Sequence, residues 1–154
     1  MLTQRNFLAA ACFALAAALP VAAGDSLWGT VTEVKSAEVV TLAYEKGQYQ
    51  VRIVGIQAPK EGALAQTARD FVARLVLGKH ARMRLEGRSK EGEMVSRLQT
   101  DDPQIGVKDV GFELVRAGLA QRVSGFDYKY GQLARAEEQA RRAGLGIWAV
   151  RPNR

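Results

Sequence analysis

Apolar residues at every second position indicate five strands along the chain. The clearest pair is a hairpin, in which apolar and polar residues alternate over 39–44 and 49–54 on either side of a polar turn at Glu45-Lys46-Gly47. Two such runs around a Gly-containing turn are typical of a hairpin. A strand over 28–34 precedes the hairpin, and alternation returns at 80–86 and 94–98.

The apolar spacing becomes that of a helix in three places. Between Leu64 and Val76 apolar residues recur three and four positions apart, as on one face of an amphipathic helix, and Gly78 follows where a helix-ending glycine is expected. Shorter helical patterns occupy 110–117 and 133–143. The order β-β-β-α-β-β-α-α predicts an α+β, mainly β, fold: a five-stranded OB-like Greek-key barrel with three α-helices.

The first residues have a pattern of their own. Arg5 precedes an unbroken apolar run over 7–19, Pro20 ends the run, and small residues at 21–23 match a signal-peptidase site. We expect residues 1–23 to be a signal peptide cut after Ala23, and residues 24–154 to form one domain, periplasmic or secreted. The run is short for a membrane span, and an uncleaved anchor is the alternative.

Charge and composition limit the partners and the kinds of active site that the chain can have. The 154 residues include 22 Lys and Arg against 16 Asp and Glu, a formal charge of +6, which favours polyanion partners but also fits a basic exported domain without them. Cys12, the only cysteine, lies in the signal segment, so the exported chain has neither disulfides nor a thiolate nucleophile. His80 is the only histidine and by itself makes neither a metal site nor a triad.

Four short stretches follow one another along the chain: VRIVGIQAP at 51–59, FELVRAGLA at 112–120, AEEQA at 136–140 and GLGIW at 144–148. In the same order they resemble the stretches V-R-L-x-G-I-D-A-P-E, N-x-x-L-V-x-x-G-L-A and A-E-x-x-A…G-I-W of the staphylococcal nuclease-like (thermonuclease) family. The resemblance implies the barrel fold for essentially the whole exported chain. It also implies descent from enzymes that hydrolyse DNA and RNA with Ca²⁺.

The family's catalytic positions are only partly kept here. The resemblance implies that Arg52 occupies the position of one of the family's two phosphate-binding arginines and that Glu93 occupies the other. Glu38 and Gln57 occupy the positions of its two calcium-binding aspartates. Lys60 occupies the position of its general-base glutamate. Because calcium seeks about 6–8 oxygens and depends on ligand charge, one carboxylate and one amide predict a weak or absent metal site.

These replacements predict that hydrolysis is lost. Lys60 has no acceptor for a water proton, and an acid at position 93 repels phosphate. Glu61 could substitute as the base, although a first-turn acid favoured by the helix dipole explains it as well. Each lost catalytic group costs about 10²–10⁴ in rate, so we predict a pseudo-nuclease.

Candidate nucleic-acid contacts lie in two further places, a basic stripe on the fourth strand and its turn, and an aromatic loop before the last helix. Aromatic side chains stack on bases for about 1–3 kcal/mol each, and cations contact phosphates. The alternatives are a solvated strand face and aromatic packing beneath the helix. The candidates are Arg82, Arg84, Arg88 and Lys90 in the stripe, and Phe126, Tyr128 and Tyr130 in the loop.

Three functions remain open at this point. The leading one is a monomeric, cofactor-free module that binds single-stranded nucleic acid or another polyanion. The second is a calcium-dependent endonuclease with a rearranged site of Glu38, Arg52 and Glu61. The third is a protein-interaction module of the cell envelope.

Overall fold

The computed structural model describes residues 22–104 and 106–149, so nearly all of the proposed signal peptide lies outside the described part. The helices are α1 (Gly62–Val76), α2 (Val110–Arg116) and α3 (Gln132–Arg142), with single 3₁₀ turns at Lys129–Gly131 and Gly146–Trp148. The strands are β1 (Ser26–Val34), β2 (Val39–Tyr44), β3 (Gly47–Ile53), β4 (Ile56–Gln57), β5 (His80–Arg88), β6 (Met94–Asp102), β7 (Gly106–Asp109) and β8 (Gln121–Arg122).

Five of these strands close a barrel in the order β3-β2-β1-β5-β6. Neighbours in this order are antiparallel, and the ring closes where β3 runs parallel to β6, with Val51 opposite Met94 and Ile53 opposite Ser96. The predicted barrel with three helices is therefore confirmed. The parallel closure brings Arg52 on β3 beside the start of β6.

The alternating residues of the strands point into the barrel and form the core. Val31, Leu42, Val51, Met83 and Leu98 are all fully buried, and burial of such side chains is the main force that holds a fold of this size together. The helices add their apolar faces to the same core through Ala68, Val72, Val76, Val110, Leu114, Leu133 and Ala136.

Three short strands complete the sheet structure beyond the predicted five. β7 pairs with β6 and extends the barrel wall on one side, and β4 pairs with β8. The β4–β8 pair joins the segment after β3 to the segment after α2, with Gln57 opposite Gln121. Among the described residues, no helix combines the length and the apolar character that crossing a membrane requires.

Candidate functional site

Arg52 is the centre of the site that the resemblance predicts. Val51 and Ile53 point into the core, so Arg52 between them points outward. Its Nε donates to Glu93 Oε2 at 2.5 Å, and its Nη1 donates to Glu38 Oε2 at 3.0 Å. The hydrogen bond to Glu93 raises the pKa of the Arg52 guanidinium above its ordinary value.

Glu38 is held in place by the turn between β1 and β2. The Ser36 hydroxyl accepts from the backbone N–H groups of Glu38 and Val39, at 3.2 and 3.1 Å. The second carboxylate oxygen of Glu38, Oε1, accepts from the backbone N–H of Ala58 at 2.7 Å. Both oxygens of this carboxylate therefore already have protein partners.

Neither the second position of the predicted metal site nor the general-base position carries a carboxylate. Gln57 is exposed, and its Oε1 accepts from Gln121 Nε2 at 3.2 Å. Lys60 is exposed and carries a cationic group where the resemblance implies a carboxylate. Within the ranges that the structure describes, no group of three or more His, Cys, Asp or Glu side chains is placed to hold a metal ion. We therefore assign no reaction step to a metal here.

A cavity of about 480 Å³ opens beside Arg52. Glu38, Lys60 and Glu61 line it, so the structure brings these predicted residues together around Arg52. Glu61, the candidate substitute base, also borders the cavity, and its extended backbone directly precedes α1. Its role as a substitute base stays a prediction.

The basic stripe divides into two parts in the structure. Arg82 and Arg84 point outward from β5, and Arg82 donates to Gln99 at 2.5 Å and lies 5.7 Å from the Trp28 ring. A register shift between Leu85 and Gly87 separates this face from Arg88 and Lys90, which are exposed near the turn into β6. Arg88 is the last residue of β5, opposite Met94, and Lys90 lies in the turn beyond the strand.

The aromatic loop is mostly packed against the protein. Tyr128 is buried, with the Arg97 guanidinium 3.8 Å from its ring centroid, and half-buried Phe126 meets it edge-on at 5.9 Å. These contacts favour aromatic packing, the alternative given for both rings, and their assignment as nucleic-acid contacts stays a prediction. Tyr130, by contrast, is 73% exposed.

Asp109 organises a polar network that the sequence analysis missed. Its Oδ2 accepts from Arg97 Nε and Nη2 at 3.1 and 2.9 Å, and its Oδ1 accepts from the Tyr128 hydroxyl at 3.1 Å. The same Oδ1 accepts from the N–H of Phe112 and caps α2. An Asp directly before a helical pattern is a capping signal that could have identified this residue.

Comparison with known proteins agrees with the fold. A family model described as "Staphylococcal nuclease homologue" matches residues 50–150. The chain belongs to the staphylococcal nuclease homologue family. The match includes Arg52, Gln57, Lys60 and Glu93, whereas Glu38 lies before it.

One relative of this staphylococcal nuclease homologue comes from Capnoides sempervirens and carries the name "Uncharacterized 38.1 kDa protein". It is 28% identical over 103 residues, which are 66% of this chain and 29% of the relative. The chain therefore matches less than a third of that protein's length, and the likeness concerns the shared domain.

Proposed function

We propose that this staphylococcal nuclease homologue is a non-catalytic, exported module that binds extended polyanions. The observation that carries the proposal is the pairing of Arg52 with Glu38 and Glu93. Charge-assisted bonds to a guanidinium are among the stronger hydrogen bonds in proteins. A phosphate that approached Arg52 would have to displace a carboxylate and would be repelled by its charge.

The remaining positions support the loss of hydrolysis. General-base catalysis needs an acceptor within hydrogen-bond reach of water, and Lys60 stands where the family resemblance implies that acceptor. Each oxygen of the Glu38 carboxylate already accepts one hydrogen bond, from Arg52 and from Ala58, so a cation bound there would lie beside the Arg52 guanidinium and be repelled by it. A calcium-dependent reaction at this site would require these contacts to rearrange.

Polyanion binding is supported by charges outside this site. Removal of residues 1–23, which contain Arg5 and no acidic residue, leaves a formal charge of +5. Arg82 and Arg84 point outward, and neighbouring cations of this kind attract phosphates and release their counterions.

Nuclease assays test the catalytic half of the proposal. Purified protein is incubated with single-stranded DNA and with RNA, in Ca²⁺ and in chelator, beside an Arg52→Ala variant that controls for contaminating nuclease. We expect no calcium-dependent cleavage by either protein. Calcium-dependent cleavage that disappears in Arg52→Ala would overturn the proposal and establish a rearranged active site.

Salt titration tests the binding half. Fluorescence anisotropy of a labelled oligonucleotide is followed as the salt concentration rises. If about four phosphates are contacted, log K should fall with log salt with a slope of about −3. A flat response would contradict phosphate contacts.

A further inference from the structure

The outer face of β1 and β5 carries an exposed tryptophan beside two arginines. We call it the Trp28 face and define it by Ser26 and Trp28 on β1 and Arg82 and Arg84 on β5. Trp28 lies opposite Arg82 in the antiparallel register, and Ser26 lies opposite Arg84. Trp28 and Arg84 are therefore diagonal neighbours on the same face, about 7–8 Å apart, within reach of one partner segment.

Trp28 is held in place although it is exposed. The Arg82 guanidinium carbon lies 5.7 Å from its ring centroid, and Arg82 Nη2 donates in turn to Gln99 Oε1 at 2.5 Å. The side chain of Trp28 nevertheless remains 46% exposed. Because an ordered side chain loses little conformational freedom when a partner covers it, this arrangement suits Trp28 to act as an apolar anchor.

Arg84 supplies a cation that the protein itself does not neutralise. It is exposed, and in the β5–β6 pairing it lies opposite Arg97, so two like charges face each other across the sheet. Arg97 is paired with Asp109. Within the described part of the chain, no carboxylate forms an ion pair with Arg84. The exposed acid Glu86 follows on the same strand and ends the cationic part of the face.

We propose that the polyanion is a polypeptide and that an acidic segment of a partner protein docks on the Trp28 face. A carboxylate of that segment accepts hydrogen bonds from the planar fork of Arg84, and an apolar side chain beside it covers Trp28. This inference rests on the proposed function, since it names the chemical class of the polyanion. It also places binding away from Arg52.

The make-up of the face favours a polypeptide over a phosphate chain. Tryptophan and arginine are among the residues that contribute most to protein–protein binding, usually at the centre of an interface. Arg82 already contacts Trp28 and Gln99, which leaves Arg84 as the cation of this face without a protein partner. Binding to nucleic acid typically neutralises several phosphates at once, whereas one unpaired arginine beside an apolar anchor is sufficient for a hot spot.

The first test compares two exposed arginines that carry the same charge. Arg84 belongs to the Trp28 face, whereas Arg142 lies on α3, is 79% exposed and pairs with Glu138. The probe is a labelled Glu-rich peptide with leucines among its acids, and anisotropy measures its binding to the full protein. Each Arg→Ala change removes one positive charge, so a general effect of net charge is equal in both. We expect binding about fivefold or more weaker in Arg84→Ala, and changed by less than about twofold in Arg142→Ala.

The second test uses the fluorescence of Trp28. The chain has two tryptophans, so Trp148→Phe leaves Trp28 as the only one. When the Glu–Leu peptide binds, the emission of Trp28 should move to shorter wavelength and its quenching by acrylamide should fall, because an apolar side chain replaces water around the ring. A peptide of equal charge with serine in place of leucine should bind about fivefold or more weakly and leave the emission unchanged.

The outcomes distinguish this inference from the proposed function. If oligothymidylate or inorganic polyphosphate binds and the Glu–Leu peptide does not, the polypeptide assignment is wrong while polyanion binding stands. If the peptide binds but Arg84→Ala binds it as tightly, or the emission of Trp28 does not move, the Trp28 face is the wrong site. If none of these polyanions binds, both proposals are wrong. Calcium-dependent cleavage of nucleic acid would overturn the proposed function, and the peptide measurements would still decide the Trp28 face.

Discussion

Arg52 lies between two carboxylates that are themselves largely shielded from water. The side chains of Glu38 and Glu93 are 14% and 12% exposed, against 36% for Arg52. If Arg52 becomes alanine, both acids lose their cation and lie close together. We expect Arg52→Ala to lower the free energy of unfolding by about 1–3 kcal/mol, at the low end because Arg52 is partly solvated.

Urea unfolding measures this loss, with Arg142→Ala as the control. Arg142 and Glu138 form a pair at 2.7 Å, but both are well exposed, so its removal should cost less than about 0.5 kcal/mol. Equal losses in the two variants would show that the Arg52 pairing contributes no more than an ordinary surface ion pair.

Tyr128 is expected to make the folded protein less stable as the pH becomes alkaline. Burial raises the pKa of its phenol well above the ordinary value, and the charge of Asp109 raises it further. The folded protein therefore keeps the proton while the unfolded chain releases it above about pH 10. The stabilisation is complete below the unfolded pKa and is lost as the pH rises above it, by up to about 1.4 kcal/mol per pH unit.

Tyr128→Phe tests this dependence because phenylalanine has no proton to lose. Near neutral pH the variant should be less stable by about 1 kcal/mol, since the bond to Asp109 is absent. Between about pH 9 and 11 the wild type should lose stability faster than the variant, so that the difference shrinks. A difference that stays constant across this range, measured by urea unfolding, would rule out a raised pKa at Tyr128.

The sequence predicted the positions of some of these residues in the site and missed the contacts of others. The motif around Arg52 and the register of the resemblance placed Glu38, Arg52 and Glu93 at one site, because a match in order constrains positions along the whole chain. The contacts of Arg97 with Asp109 and Tyr128 join different elements and leave no local pattern. Tyr128 is buried whereas Tyr130, two residues later, is exposed, and this difference depends on one turn of the backbone.

At the scale of elements, length decides what a pattern can predict. The five long strands and three helices were predictable because each repeats its apolar spacing several times. The strands β4 and β8 have two residues each, and β7 has four, too few to show alternation. The parallel pairing of β3 with β6 joins segments about 40 residues apart and depends on the closed barrel rather than on local spacing.

The end of α2 is where the final segment docks. Gly118 has φ 68°, and its carbonyl accepts from the N–H of Ile147 at 2.8 Å. A Cβ at Gly118 would collide with the backbone of Leu145, whereas a Cβ at Gly144, with φ 62°, would meet open space. Both changes to alanine incur the cost of a positive φ, and only Gly118→Ala adds a steric clash.

The two substitutions therefore form a matched pair. We expect Gly144→Ala to lower the free energy of unfolding by about 1 kcal/mol and Gly118→Ala to lower it by about 2–3 kcal/mol more. Thermal and urea unfolding measure the difference. Similar losses would mean that the segment after α3 moves away from Gly118 without energetic consequence.

At the scale of the whole molecule, the outward-facing arginines of the barrel wall lie apart from the site around Arg52. Around Arg52 the fold brings acids against the cation that the family resemblance assigns to phosphate. On the wall formed by β1, β5 and β6, Arg82 and Arg84 remain outward beside Trp28. These outward cations therefore lie apart from the two acids that pair with Arg52, as the proposed polyanion binding requires.

Export is the last prediction at this scale. The Gly24 N–H donates to the Leu85 carbonyl at 2.6 Å, and the Leu85 N–H donates to the Asp25 carbonyl at 3.0 Å, so a cut after Ala23 would keep both bonds to β5. Ala23 occupies the position before the cut, where only a small residue is accepted, while the residue before it is free to vary. Mass spectrometry of protein from a bacterial cell envelope should find a chain that begins at Gly24. Ala23→Gln should block this processing and Ala22→Gln should not. Equal processing of both variants would place the cut elsewhere, and a wild-type chain that keeps residues 1–23 would show that the segment remains as an anchor.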